Sequence, residues 1–203
     1  MRGQVAIVTG AGSEEGIGFA VARKLHEAGF HVAITSTTER IHARATELDP
    51  AGDRVSAFVA DLTVESAARE LVDAVLRDRG RIDVLVNNAG MAQSGIPFDE
   101  STVQESTYAS WKRQLEITLD TAFLMTRAAL PAMVSRGYGR IVNVSSVTGP
   151  HVSYAGLAAY SAAKAGMEGS ERSYSLITEI PSPIFGLSIS RVLSRSSWTS
   201  TTW

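Results

Sequence analysis

The chain of 203 residues has no cysteine. That absence excludes a disulfide framework, thiolate zinc sites and a cysteine nucleophile. It also has little excess charge, with 19 Lys and Arg against 21 Asp and Glu for a net charge of −2. A balance of this kind argues against the basic footprint of a nucleic-acid or anionic-membrane binder. The histidines are His26, His31, His42 and His151, and no two stand at metal-ligand spacing. Long hydrophobic runs are missing too. The opening MRGQVAIVTG is too short for a signal peptide's apolar core, and no stretch approaches the roughly 18 apolar residues of a membrane span. A cytoplasmic protein without metal, membrane or nucleic-acid partners is the expectation. What remains is ordinary: 44% hydrophobic and 20% charged residues, enough for one α/β domain with its own core.

Short apolar bursts alternate with helical periodicity. VAIVT (5–9), VAIT (32–35), VSAFVA (55–60), IDVLVN (82–87) and RIVNVS (140–145) read as strands. Helical patterns fall at about 17–28, 38–48, 64–79, 107–135 (interrupted only by Pro131) and 157–178. Apolar, β-branched strands separated by helices predict a mostly parallel, doubly wound α/β sheet of the Rossmann type, covered on both faces. In such sheets ligands bind at the carboxyl ends of the strands, and the polar motifs of this chain all fall there.

After the first strand comes Thr9-Gly10-Ala11-Gly12-Ser13-Glu14-Glu15-Gly16-Ile17-Gly18. Glycines allow close backbone approach, and the following helix offers N–H groups and a positive dipole end to a pyrophosphate. A glycine loop alone is equally well a tight strand–helix turn. Its place after an N-terminal strand favours a dinucleotide. At the end of the second strand, Ser36 and Thr37 leave room for a ribose 2′-phosphate that Arg40 can pair with. No aspartate stands at that strand tip for a bare ribose. NADP is therefore the expected cofactor, with NAD left open by Glu39. Asp61-Leu62 closes the third strand, where the carboxylate either accepts from an adenine amino group or caps the next helix. Asn87-Asn88-Ala89-Gly90 closes the fourth, as a turn or as a bend lining a cofactor cleft.

Tyr160 and Lys164 stand four apart, which on a helix is one face. With five tyrosines and three lysines in the chain, that spacing arises by chance in roughly one such chain in fourteen. The chemistry adds weight. A carbonyl reductase needs a proton donor at the substrate oxygen. Tyrosine's ordinary pKa of about 10 is too high for neutral pH unless a cation lies nearby. Ser145-Ser146 ends the fifth strand, where a hydroxyl either orients a substrate carbonyl or caps a turn. A serine hydrolase is excluded by the absence of a Gly-x-Ser-x-Gly elbow and of a suitably placed histidine.

Taken in order, TG…G-x-G, DL, NNAG, SS-x-x-G and Y-x-x-x-K resemble the short-chain dehydrogenase/reductase family, loosely its 3-oxoacyl-(acyl-carrier-protein) reductase-like members, from residue 4 to about 176. The glycine loop differs from the TGxxxGxG fingerprint by an apparent insertion of Glu14-Glu15, which belongs on the loop's outer edge if phosphate is to bind. The resemblance implies that Ser146, Tyr160 and Lys164 are catalytic and that Thr118 stands where an asparagine is usual. It also implies that Asn87 steadies the central strand, that Asn88, Ala89 and Gly90 pass the cofactor ribose, and that Lys164 meets its hydroxyls. Family members pair through the two long helices, so a homodimer or homotetramer is implied. The implied reaction is hydride transfer between nicotinamide and a small carbonyl or alcohol substrate, which the sequence does not name.

The pattern fails after about residue 177. Residues 186–203 include nine Ser or Thr, a composition that reads as loop. The expectation is a dinucleotide-binding domain over 1–178 followed by an irregular tail over 179–203, with the C-terminal strands absent or irregular through truncation or frameshift, and one sheet edge exposed. On that footing the alternative function is a catalytically weak dinucleotide-binding protein acting by binding or association.

Overall fold

The structure, a computed structural model, describes residues 3–90 and 100–171, and beyond them the backbone of 177–180 and 187–193. Five parallel strands form as the sequence suggests: β1 (Val5–Thr9), β2 (His31–Ser36), β3 (Val55–Val59), β4 (Val84–Asn87) and β5 (Tyr138–Val144). They lie in the order β3-β2-β1-β4-β5. The chain winds outward from β1 to β3, then crosses back to β4. Its direction therefore reverses between β1 and β4, which opens a crevice at their carboxyl ends.

Alternation along β1 explains why the sheet is covered twice. Val5 and Ile7 face one core, with Leu71, Val75, Met125 and Met133. Ala6 and Val8 face the other, with Phe19, Ile34 and Ile41. Apart from Ile34 of β2, these partners come from α1 (Ile17–Glu27), α2 (Arg40–Leu48), α3 (Glu65–Arg79) and α5 (Thr121–Arg136). Gly80, at φ 69°, ends α3 in the left-handed conformation that glycine adopts without strain.

The long helical stretch is one continuous run in three parts: α4 (Tyr108–Leu115), a π turn (Glu116–Asp120) and α5. Thr107 caps α4 by accepting the Ser110 N–H at 3.0 Å. Pro131 does not break α5, which continues to Arg136. Its missing N–H cannot serve the Arg127 carbonyl, and both residues are exposed, so water can reach that group. Contrary to the reading by composition, Tyr108–Arg136 is by length and composition apolar enough to cross a membrane. Its apolar side packs instead against the sheet through Ala122, Met125, Ala129 and Met133.

Two expectations for the end of the chain need correction. The last helix, α6 (Ala158–Glu171), does not reach 178, because Ile177–Ile180 is strand β6, rich in β-branched residues. Nor is β5 an open edge, since β7 (Leu187–Leu193) pairs antiparallel with it from Tyr138↔Leu193 to Val144↔Leu187, and β6 pairs with β7. The serine content of 187–193 obscures the short alternation of Leu187, Ser188, Ile189 and Ser190, which is a strand signal.

Candidate functional site

The exits of β1 and β4 are bolted together by a small polar network. Thr9 Oγ1 accepts the Asn88 and Ala89 N–H groups at 2.9 and 3.0 Å and donates to the Val86 carbonyl at 3.2 Å. Asn88 Nδ2 donates to the carbonyls of Thr9 and Gly10, each at 3.0 Å. The chain is so close here that only glycine fits. Gly10 has φ 70°, and a Cβ on it would lie 2.8 Å from the Ala89 Cα. A Cβ on Gly18 would lie 2.5 Å from Asn88 Nδ2 and 2.6 Å from the Gly10 carbonyl oxygen. The first turn of α1 is thereby pressed against the crevice. Gly16 begins that helix with no side-chain cap, leaving the first N–H groups to a ligand or water.

At the far end of the cleft, a Cβ on Gly12 would meet Ser36 Cβ at 2.8 Å. Ser36 Oγ donates to the Thr38 carbonyl at 2.9 Å, which turns the chain from β2 into α2 and sets Thr37 and Arg40 at the rim. Asp61 does not cap α3, whose N-cap is Val64. Its carboxylate accepts instead from Thr63 N–H and Oγ1–H at 3.0 and 2.7 Å, an Asx turn at the wall of the cleft. Asn87 points away from the cleft. Its amide donates to Thr126 Oγ1 at 3.0 Å and Asn143 Oδ1 at 2.9 Å, fixing β4 against α5 and β5.

Tyr160 and Lys164 face the same cleft from α6, and both are buried. The Lys164 Nζ lies 5.7 Å from the Tyr160 ring centroid and donates to the Val144 carbonyl at 2.6 Å. Burial holds its pKa down, from 10.5 to about 8. The charge remains mostly present at neutral pH, yet it is poorly solvated and ready for further acceptors.

One cavity of about 640 Å³ joins these parts. It brings together Gly10, Gly12, Gly16, Ile17, Ser36, Thr37, Arg40, Asp61, Leu62, Asn88, Ala89, Gly90, Tyr160 and Lys164. Three expected residues lie off its wall. Gly18 supports it from behind. Ser146 Oγ accepts the Thr148 N–H at 3.1 Å, a turn contact. Thr118 is fully buried in the π turn, beneath Gly90, and its Oγ1 accepts from Gln114 Nε2 at 2.9 Å. Residues not anticipated include Ser13, Thr35, Thr63, Thr121, Val144 and Ser145. Ser145 is 9% exposed, and its buried hydroxyl has no hydrogen-bond partner among the described residues. The Ser-Ser pair signalled a hydroxyl here, but choosing between neighbours depends on which way the β5 exit turns.

Residues 4–177 match the family model described as short chain dehydrogenase. The chain is 42% identical over 170 residues to the cis-4-hydroxycyclohexanecarboxylate dehydrogenase of Sinomonas cyclohexanicum, covering 84% of this chain and 65% of that protein. The chain thus spans just under two thirds of that relative's length. Among solved structures, a metagenomic short-chain oxidoreductase in complex with NADP superposes with a TM-score of 0.76 at 37% identity, over 85% of this chain and 75% of that one. An NAD+-bound xylitol dehydrogenase does so with a TM-score of 0.76 at 32% identity, over 86% and 65%.

Proposed function

Since the chain belongs to the short-chain dehydrogenase family, we propose that it is an NAD(P)-dependent oxidoreductase acting on a small carbonyl or alcohol substrate. The observation that carries this reading is the single cavity that has the glycine loop at one end and Tyr160 with Lys164 at the other. A nicotinamide dinucleotide fits these residues. The cradle of Gly10, Gly12 and Gly18 admits no Cβ, the α1 start is uncapped, and the Ser145 hydroxyl is buried without a partner among the described residues. Gly12, Gly16 and Ile17 hold the pyrophosphate; Ser36, Thr37 and Arg40 the adenosine ribose; Asp61 and Leu62 the adenine; Asn88, Ala89, Gly90 and Lys164 the second ribose. When bound, the nicotinamide supplies or accepts the hydride.

The chain's own residues do the rest. The Tyr160 hydroxyl donates its proton to the carbonyl oxygen of the substrate, and in the reverse direction its phenolate takes the proton of the alcohol. The Lys164 ammonium beside it stabilises the charge left on the phenol oxygen. Ser146, or its neighbour Ser145 on the cavity wall, orients the carbonyl, and Thr118 supports the floor beneath Gly90. Arg40 at the ribose rim favours NADP, and the relatives bound to NADP and to NAD+ support keeping both. The exposed Phe123 on α5 suits pairing of two copies through the long helices as a homodimer or homotetramer. A cytoplasmic location completes the reading, and the dinucleotide-binding domain extends past residue 178 to include β6 and β7.

Two positions favour a second reading, binding with little turnover: Ser146 lies off the cavity wall, and the Thr118 hydroxyl is engaged by Gln114. The test is oxidation of NADPH or NADH with a panel of cyclic ketones, beside a thermal-shift titration of each cofactor. Tyr160→Phe is expected to lower turnover by at least about a hundredfold while leaving the cofactor-induced shift intact. Retained turnover overturns the role of Tyr160. A thermal shift without turnover in the unaltered chain favours the second reading.

A further inference from the structure

The glycine loop carries two carboxylates where phosphate is expected. Glu14 and Glu15 lie between Gly12 and Gly16, and both are exposed. A carboxylate free to swing over the cleft opposes any bound phosphate by Coulomb repulsion. Glu14 is tied back, with its Oε2 at 3.0 Å from Arg44 Nη1. Glu15 has no ion pair among the described residues.

Arg44 sits one helical turn beyond Arg40 on α2, yet the two do different things. Arg40 lines the cavity and Arg44 does not. The Arg44 side chain is only 19% exposed. Its guanidinium lies 5.4 Å from the Phe19 ring centroid and 3.2 Å from Glu47 Oε2. Phe19 is fully buried, and Arg23 stacks on it at 5.0 Å while also meeting Glu47 at 3.3 Å. Arg44 is therefore held in place before Glu14 arrives. An isolated surface pair loses much of its attraction to the ordering of two long side chains. Here one of the two is already ordered.

We infer that Arg44 is a positioning residue for the cofactor loop: it draws the Glu14 carboxylate away from the phosphate side, so that an acidic loop can still receive a dinucleotide. This deepens the dinucleotide reading above and rests on it. The effect is larger for NADPH than for NADH, because the 2′-phosphate adds negative charge at the end of the cleft nearest α2.

The experiment is NADPH and NADH titration by nicotinamide fluorescence at low and high salt, using Arg44→Gln, Glu14→Gln, Glu15→Gln and the doubles Arg44→Gln/Glu14→Gln and Arg44→Gln/Glu15→Gln. Arg44→Gln is expected to weaken NADPH binding about three- to tenfold at low ionic strength, with a smaller loss for NADH and for either cofactor in high salt. Adding Glu14→Gln restores the affinity, and adding Glu15→Gln does not remove the deficit. A deficit that Glu14→Gln leaves in place overturns the inference, since Arg44 would then act through packing on Phe19. Unchanged affinity in Arg44→Gln overturns it as well. Should Arg44→Gln lose helix by circular dichroism, Arg44→Lys replaces it under the same criterion of rescue by Glu14→Gln. No dinucleotide binding by the unaltered chain overturns the parent reading. Intact binding without Arg44–Glu14 coupling overturns this inference alone.

Discussion

Lys164→Met is expected to make the protein more stable at neutral pH and to abolish its turnover. Lys164 is 4% exposed, and burial lowers its pKa from 10.5 to about 8. At about 1.4 kcal/mol per pH unit, that fall means the fold carries a cost of about 3 kcal/mol for holding the charged amine. The hydrogen bond to the Val144 carbonyl returns about 1 kcal/mol, so methionine, of similar length and apolar, gains about 2 kcal/mol at pH 7. The pH dependence follows from the direction of the shift. Between the folded value near 8 and the unfolded value near 10.5, the unfolded chain holds a proton that the folded chain has released. The unaltered protein therefore gains stability relative to Lys164→Met as pH rises through that window, and above it the advantage of the variant is gone. Urea unfolding followed by tryptophan fluorescence at pH 7, 9 and 10.5, taken as the difference between the two proteins, measures this directly. A variant less stable at pH 7, or a difference that does not change across the window, refutes the reasoning. Confirmation would make Lys164 a residue kept for chemistry at the expense of stability.

Gly18→Ala would drive a Cβ into Asn88 Nδ2 and the Gly10 carbonyl; overpacking of that kind costs about 1–3 kcal/mol, and NADPH affinity should fall by more than about tenfold, read by thermal shift and fluorescence titration. Asp83→Ala tests the opposite end of the sheet. The fully buried Asp83 accepts the Val5 N–H at 2.8 Å and pairs with Arg81, whose guanidinium pKa it raises. Its loss should cost about 3–5 kcal/mol in urea unfolding while leaving dinucleotide affinity unchanged in the folded fraction, and a cost below about 1 kcal/mol would refute the buried network.

Much of this fold was legible because each element carries its own period. VAIVT and VLVN are apolar at every position but the last, as strands covered on both faces must be, and Leu71, Val72 and Val75 mark one side of α3. The candidate site was legible for a related reason: parallel strands put every βα turn at one end of the sheet, so polar motifs far apart in sequence converge. What the local sequence left open or hid shares the opposite cause. Asp61 in a loop before a helix has the same local sequence whether it caps that helix or folds back on Thr63. Ser145 and Ser146 are chemically identical, and only the path of the chain leaving β5 exposes one to the cavity. At 177–193, a serine-rich composition outweighed a short alternating pattern whose strand state depends on a partner, β5, some fifty residues earlier in the chain.

By itself, the sequence determined the chemistry on offer: a glycine loop after the first strand, a phenol and an ammonium one helical turn apart, hydroxyls at a strand tip and no cysteine. Those depend on residue identity and local spacing, which need no long-range contact. The tertiary structure alone decided the rest. It joined the loop and the Tyr160–Lys164 pair in one cavity, buried Lys164 deeply enough to lower its pKa, turned Ser145 rather than Ser146 toward the cleft, and drew Glu14 to Arg44. Each of these is set by what the folded chain brings alongside a residue, through desolvation, packing and charge, and none of those is a property of the residue's own segment.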